Sequence, residues 1–324
     1  MTVWISYLRA GLLATLPLVA GPTFAGDLSF AHLLNIGTAG NDEGQFAYVE
    51  DMAFARDGQL LVTDASHAWV QMFDKTTGKF LARFGGKGDD DHQLDKPEGI
   101  AVDQAGNIFV ADYNTGFVKK YDLGFKWLTT FSEYGSAPGH NMKSEFMDIH
   151  AEKLYMPDAG NHRINVFDLF GRPLFQFGGP GISPGQFNTP EAAKFSKDGK
   201  LYVTDLRNDR IQVFDAAGKL LSIFGKTGTG AGELKSPAGL SFDAEDNIYV
   251  TEIGNNRVQV FDNTGRSIAM WGSKGAGDGE FGNLHGVIVD PANGHVYVAD
   301  TGNNRIQVFR PVRTTSTTGS GLNR

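Results

Sequence analysis

The residues of this chain best placed to do chemistry are four glutamates and a histidine that recur at one point of a repeating pattern. Glu50, Glu98, Glu145 and Glu191 lie 48, 47 and 46 residues apart, and Ala238 and His285 continue the series. If the repeats close on themselves, these side chains ring a single opening. Two carboxylates about 8 Å apart repel by roughly 0.5–2 kcal/mol, depending on the effective dielectric. Such a ring favours a bound cation, a basic ligand, or raised carboxyl pKa values. The competing reading leaves the side chains in water, with salt screening their repulsion.

The elements that position these residues come from a unit of about 47 residues repeated six times. Its core line reads LLVTDASHAWVQMFD (60–74), IFVADYNTGFVKKYD (108–122), LYMPDAGNHRINVFD (154–168), LYVTDLRNDRIQVFD (201–215), IYVTEIGNNRVQVFD (248–262) and VYVADTGNNRIQVFR (296–310). Its acidic residue falls at Asp64, Asp112, Asp158, Asp205, Glu252 and Asp300, in steps of 46 to 48. A near-constant period of that size means an array of one supersecondary unit. Each unit offers four short apolar runs, in the fifth AGLSFD (238–243), NIYVTE (247–252), RVQVFD (257–262) and RSIAMWG (266–272). Turn residues join them, which argues antiparallel sheet. Four strands in each of six units make an all-β, six-bladed β-propeller with four-stranded antiparallel blades.

The sixth unit stops after its third strand. A segment resembling the missing one, SFAHLLNIG (29–37), stands at the other end of the chain, followed by the Gly-rich link TAGNDEGQF. The N-terminal strand is therefore expected to close the last blade, because an open ring would leave strand edges unpaired.

These motifs resemble the NHL repeat family: P-x-G-[IL]-x-[VF]-D, then [VT]-[AT]-D-x-G-N-N-R-[IV]-Q-V-F. The resemblance covers residues 28–310. Units four to six match closely. Trp69 and Phe117 stand where the others have Arg163, Arg210, Arg257 and Arg305, and unit three carries Pro157 before its Asp. The family includes ligand-binding scaffolds, extracellular sensor domains, RNA-binding domains and a zinc-dependent peptide α-amidating lyase, so the resemblance alone does not give a function. For the lyase it implies zinc histidines. His67 follows Val62-Thr63-Asp64 one position early, Leu284-His285-Gly286 matches better, and His150 and His162 are third candidates by proximity in the repeat.

In a propeller the loops entering the innermost strands and those between second and third strands share a face. That face should carry Glu50, Glu98, Glu145, Glu191 and His285, together with Tyr113, Arg207, Trp69 and Phe117, as a ligand-binding surface. Trp69 and Phe117 have a rival role in packing between blades. A metal, zinc or calcium, would draw on His285, Glu98 or His67. The repeated Asp and Arg of D-x-G-N-N-R read as structural, because a residue present in nearly every blade builds blades.

Two motif matches fail on context. Gly181-Ile182-Ser183-Pro184-Gly185 fits G-x-S-x-G but lies in an inter-blade link with no helix after it. Gly225-Lys226-Thr227 ends like a phosphate loop, but Leu220 occupies the place of the first glycine.

The ends and the composition set the context. Residues 1–25 hold one charge, Arg9, then the apolar run 11–24 and Thr23-Phe24-Ala25, the pattern of a signal peptide cleaved after Ala25. Residues 26–310 would form the propeller and 311–324 a disordered tail. Cysteine is absent, so there are neither disulfides nor thiolate metal sites. Without the signal the chain keeps all 37 acidic residues and one basic residue fewer than the full 29, which opposes nucleic-acid binding. The expectation is a secreted or periplasmic monomer, not inserted in a membrane, that binds a protein or a small cationic ligand. The alternative is a metal-dependent lyase or hydrolase of the amidating-lyase type with its metal at the channel mouth.

Overall fold

The structure is a computed structural model that describes residues 28–313. The segment read as a signal peptide lies outside the described residues, as does the tail from 314. Six sheets of four antiparallel strands are arranged as blades. Blade one comprises Val49–Phe54, Leu60–Asp64, Trp69–Phe73 and Phe80–Gly85, and blades two to five repeat that order. Second strands such as Leu60–Asp64, Leu201–Asp205 and Ile248–Glu252 are buried at every position. They are covered on both faces by neighbouring blades, which is why they read as unbroken apolar runs.

Core clusters sit between adjacent blades. One joins Leu61 and Val70 of blade one to Ile100, Val110 and Tyr121 of blade two. Another joins Met52 and Val62 to Tyr297 and Ile306 of blade six. The ring closes as expected: Leu28–Ile36 pairs antiparallel with Arg305–Arg313 as the outer strand of blade six. Phe30 stacks on Trp271 of blade five with ring centroids 3.8 Å apart. The third strand of blade six runs on to Arg313, past the boundary drawn at residue 310. Phe30, Ser29 and Leu28 pair with Pro311, Val312 and Arg313 and so hold these three residues in the sheet.

Two local rules shape the repeat. The tight turn after the second strand ends on a residue with left-handed backbone: His162, Asp209, Asn256 and Asn304, with φ of 57°, 52°, 50° and 52°. Asn and Asp tolerate that region better than most residues, which accounts for the second Asn of G-N-N. At the channel the inner strands converge, and in blades two, five and six the residue after the mouth position is glycine. A Cβ on Gly99 would meet the Glu145 carbonyl oxygen at 2.1 Å, and one on Gly239 the His285 carbonyl oxygen at 2.4 Å. Among the described residues no helix is long and apolar enough to cross a membrane.

Candidate functional site at the channel mouth

The inner strands deliver Glu50, Glu98, Glu145, Glu191 and His285 to one end of the channel, all buried. Backbone bonds between blades fix their carbonyls: Gly286 N–H donates to Glu50 O at 3.0 Å and Phe146 N–H to Glu191 O at 3.0 Å. Threonines of the V-T-D line brace the same positions. The Thr63 hydroxyl donates to Glu98 O, that of Thr204 to Ala238 O, and that of Thr251 to His285 O.

Burial and mutual repulsion govern the charge state here. Burial first, then Glu98 and Glu191, push the Glu50 carboxyl well above its usual range. Burial, Glu191 and Glu98 do the same to Glu145. Glu191 is pushed up to about 8 by burial and Glu98. Glu98 is raised by burial despite Lys96, which forms an ion pair with it and holds it down. Glu98 and Glu145 share a side-chain hydrogen bond. With Glu145 pushed up the further, Glu145 is the protonated partner that donates.

His285 takes the opposite shift. Burial, then Lys96, bring it down to about 4, so the ring is neutral at physiological pH. Its 3.5 Å contact with Glu50 is therefore a contact between two neutral groups and not an ion pair. The network also assigns the tautomer. The Thr301 hydroxyl gives its one proton to Val49 O at 2.7 Å, so at 2.9 Å it accepts from His285 Nδ1. Nδ1 carries the hydrogen, Nε2 keeps a lone pair, and no described residue hydrogen-bonds Nε2.

Around this ring stand groups that the repeat alignment did not single out. Lys96 lies 3.9 Å over the Tyr113 ring and pairs with Glu98. Lys143 is 5.9 Å from the same ring. Tyr48 faces His285 with ring centroids 6.1 Å apart. The signal for Lys96 was its place just before Pro97-Glu98, where Asp112 accepts from the Lys96 backbone N–H. Thr301 carried no such signal, because its role depends on blade one arriving beside blade six.

The other sequence candidates divide. Tyr113 is at the mouth, its hydroxyl pushed up to about 12 by burial and by Glu145 and Glu98. Arg207 is exposed on the turn Leu206–Asn208, and its charge lowers the pKa of Glu191. Trp69 stacks on His67 at 4.3 Å and takes the Arg83 guanidinium at 4.0 Å on its ring. Phe117 has Lys119 at 5.9 Å, and Lys119 donates to the carbonyls of Asp90 and Gln93 in the Gly-rich link. Both aromatics thus keep company with blade and link groups.

His67 fills the place of the repeated Asn. Nδ1 contacts Asp64 Oδ2 at 2.6 Å and Nε2 contacts Asn41 Oδ1 at 2.9 Å, as Asn161 bridges Asp158 and Gly135 in blade three. Neither nitrogen is left for a metal. His162 Nδ1 accepts from Thr189 N–H, and His150 stacks on Phe195. Among the described residues no three His, Asp or Glu side chains stand in an arrangement that could hold an ion. These side chains therefore supply no three-ligand set of the kind a zinc ion takes, among the described residues.

The repeated Asp and Arg are structural, as their recurrence implied. Arg163 donates to Asp158 and to the carbonyls of Ser136, Ala137 and His140, which ties the link to its own blade. Arg210, Arg257 and Arg305 make the same kind of connection.

Two family models match parts of the chain. The NHL repeat model matches residues 94–121 and 281–309, and the SMP-30/Gluconolactonase/LRE-like region model matches 182–277. A curated relative, the "Probable peptidyl-alpha-hydroxyglycine alpha-amidating lyase pgal-1" of Caenorhabditis elegans, is 28% identical over 135 residues, 38% of each chain. The match thus spans well under half the length of that relative. Among solved structures, a protein of unknown function from Bacteroides thetaiotaomicron superposes with a TM-score of 0.67 at 16% identity, over 88% of this chain and 76% of that one. A gluconolactonase from Xanthomonas campestris gives 0.64 at 16% identity, over 89% and 91%. A streptogramin B lyase gives 0.61 at 13% identity, over 90% and 100%. At these identities the structural likeness speaks for the fold alone.

Proposed function

We propose that the channel mouth of this six-bladed propeller, in which NHL repeats are found, binds an organic cation. The ligand is an amine or guanidinium head group, on a small molecule or on a basic protein segment. One observation carries the reading: four buried glutamates from four successive blades converge, and Lys96 is the one cation that pairs with them among the described residues. An incoming cation replaces protons held by Glu50, Glu145 and Glu191, so binding releases protons and tightens with pH. Tyr113, Tyr48 and Arg207 border the entrance and would select the ligand's shape.

Calorimetric titration with agmatine, near neutral pH and again above pH 8, tests this. Affinity is expected to rise at the higher pH and to be lost in Glu145→Gln/Glu191→Gln. Equal affinity in that double variant would contradict the proposal.

His285 supports a second reading, as a lyase or hydrolase, together with the similarity to the amidating lyase of C. elegans. A neutral imidazole with Nδ1–H anchored and a lone pair on Nε2 is a proton acceptor, a weak one at a pKa of about 4, and the protonated glutamates beside it are proton donors. Turnover of a peptidyl-α-hydroxyglycine by wild type, lost in His285→Ala and shifted in pH profile by Thr301→Val, would establish it. No turnover by wild type would leave the binding reading.

We also propose that the mature chain is exported, to the periplasm or beyond, and acts as a monomer without nucleic acid. The charge and hydropathy pattern of residues 1–25 supports export. Mature protein should begin at Gly26, and recovery of protein starting at Met1 would contradict this.

A further inference from the structure

At the opposite end of the channel, where the inner strands finish, lies a cavity of about 360 Å³. That volume is within the range of small-molecule sites. All six inner strands line it, with Met52, Ile100, Leu240, Phe242 and Ile288 among its apolar walls. Its polar groups are Lys194, Asp148, Asp243 and Ser241 at the wall, with exposed Lys197 at the rim. The sequence motifs pointed to none of them, because the repeat alignment drew attention to the other face.

Donor and acceptor capacity says what would fit. The carboxylates are used up within the fold: Asp243 accepts from the Glu245 and Asn247 backbone N–H groups, the Asn247 amide and the Tyr249 hydroxyl. Asp148 Oδ1 accepts from Ile149 N–H and Oδ2 from Phe195 N–H, each at 2.8 Å. Asp51, just beneath, accepts from Met52 N–H and Ile100 N–H. Lys194 spends one N–H on Met147 O at 2.8 Å and faces Asp51 Oδ2 at 3.7 Å. An ammonium has three N–H donors, so Lys194 keeps capacity to spare. Ser241 Oγ accepts from Val289 N–H at 3.1 Å, and its own proton has no partner among the described residues. The spare capacity is therefore of donor type, set in apolar walls. Lys194 is already balanced by Asp51 and Asp148, so the cavity offers no net positive charge to an anion.

We propose that this cavity is a second ligand site, for a small, uncharged apolar molecule bearing a carbonyl acceptor, with Lys194 and Ser241 as donors. The proposal is independent of the channel-mouth reading.

Three matched probes separate the contributions: 1-acetylnaphthalene, naphthalene-1-carboxylate and naphthalene, each titrated by fluorescence into the folded protein. The ketone is expected to bind tightest. Ser241→Ala should weaken it about three- to ten-fold, the effect of one lost hydrogen bond. Ser241→Trp, which fills the cavity, should abolish binding, while Glu191→Gln at the mouth should leave it unchanged. Naphthalene binding as well as the ketone would overturn the donor argument, and tighter binding of the carboxylate would overturn the charge balance. Binding that survives Ser241→Trp would show that the cavity is not the site. Ser241→Ala keeps the test valid should Ser241→Trp fail to fold.

Discussion

The blades and the channel mouth both bury carboxyl groups, and they treat them in opposite ways. In the blades each acid is surrounded by donors. Glu252 accepts from Asn255, Arg257, Gln259 and the Lys235 backbone. Asp205 and Asp300 are held by the same set of groups. At the mouth, Glu50, Glu145 and Glu191 face chiefly one another, with Lys96 spent on Glu98. A buried carboxylate with matched donors builds structure. A buried carboxyl without them keeps its proton and is available for binding or proton transfer.

The comparison breaks first at the ring seam. Deleting residues 28–37 removes the outer strand of blade six and its contacts with Trp271. We expect the largest loss of stability from this change, with oligomers formed through the bared edge of Arg305–Arg313, measured by urea unfolding and light scattering. A monomer of unchanged stability would refute the closure argument. Next, Arg257→Ala strands Glu252 without its cation and should cost about 3–5 kcal/mol in urea unfolding, with mouth binding retained.

The pH dependence should separate the two regions more finely. The folded pKa of Glu191, about 8, lies above the ordinary value of 4.5, so the native state holds the extra proton between them. Its contribution is present in full below about pH 4.5 and is lost as pH rises through about 8. His285 works in the other direction. Depressed from 6.5 to about 4, it contributes above pH 6.5 and loses that contribution as pH falls through 4. Glu191→Gln should therefore raise stability above pH 8, by on the order of a few kcal/mol, where Arg257→Ala lowers it. The smallest effect is expected from His67→Asn, which restores the repeated residue beside Asp64. It should change stability by less than about 1 kcal/mol and leave mouth binding untouched.

The sequence made the propeller, its closure by residues 29–37 and the structural role of the blade arginines legible, because each is a repeated local rule. The mouth glutamates were legible as a ring for the same reason. Their charge state was not, since it depends on burial and on Lys96, which occurs in one blade alone. The true role of His67 was hidden by its likeness to a metal ligand, although its position, three residues after Asp64, is that of the blade asparagine. The far cavity was silent in the sequence, because Lys194 and Ser241 share one place in the repeat, three residues after the mouth position, where the other blades carry Ala53, Ala101, Asp148 and Ile288, so no common residue type marks it.

The central claim is that the mouth carboxyls hold protons at neutral pH. Difference infrared spectroscopy of wild type against Glu191→Gln, across a pH series, tests it most directly. A protonated-carboxyl band is expected at neutral pH that titrates near pH 8 and shrinks in the variant. Spectra that superimpose, with every carboxyl ionised at neutral pH, would contradict it.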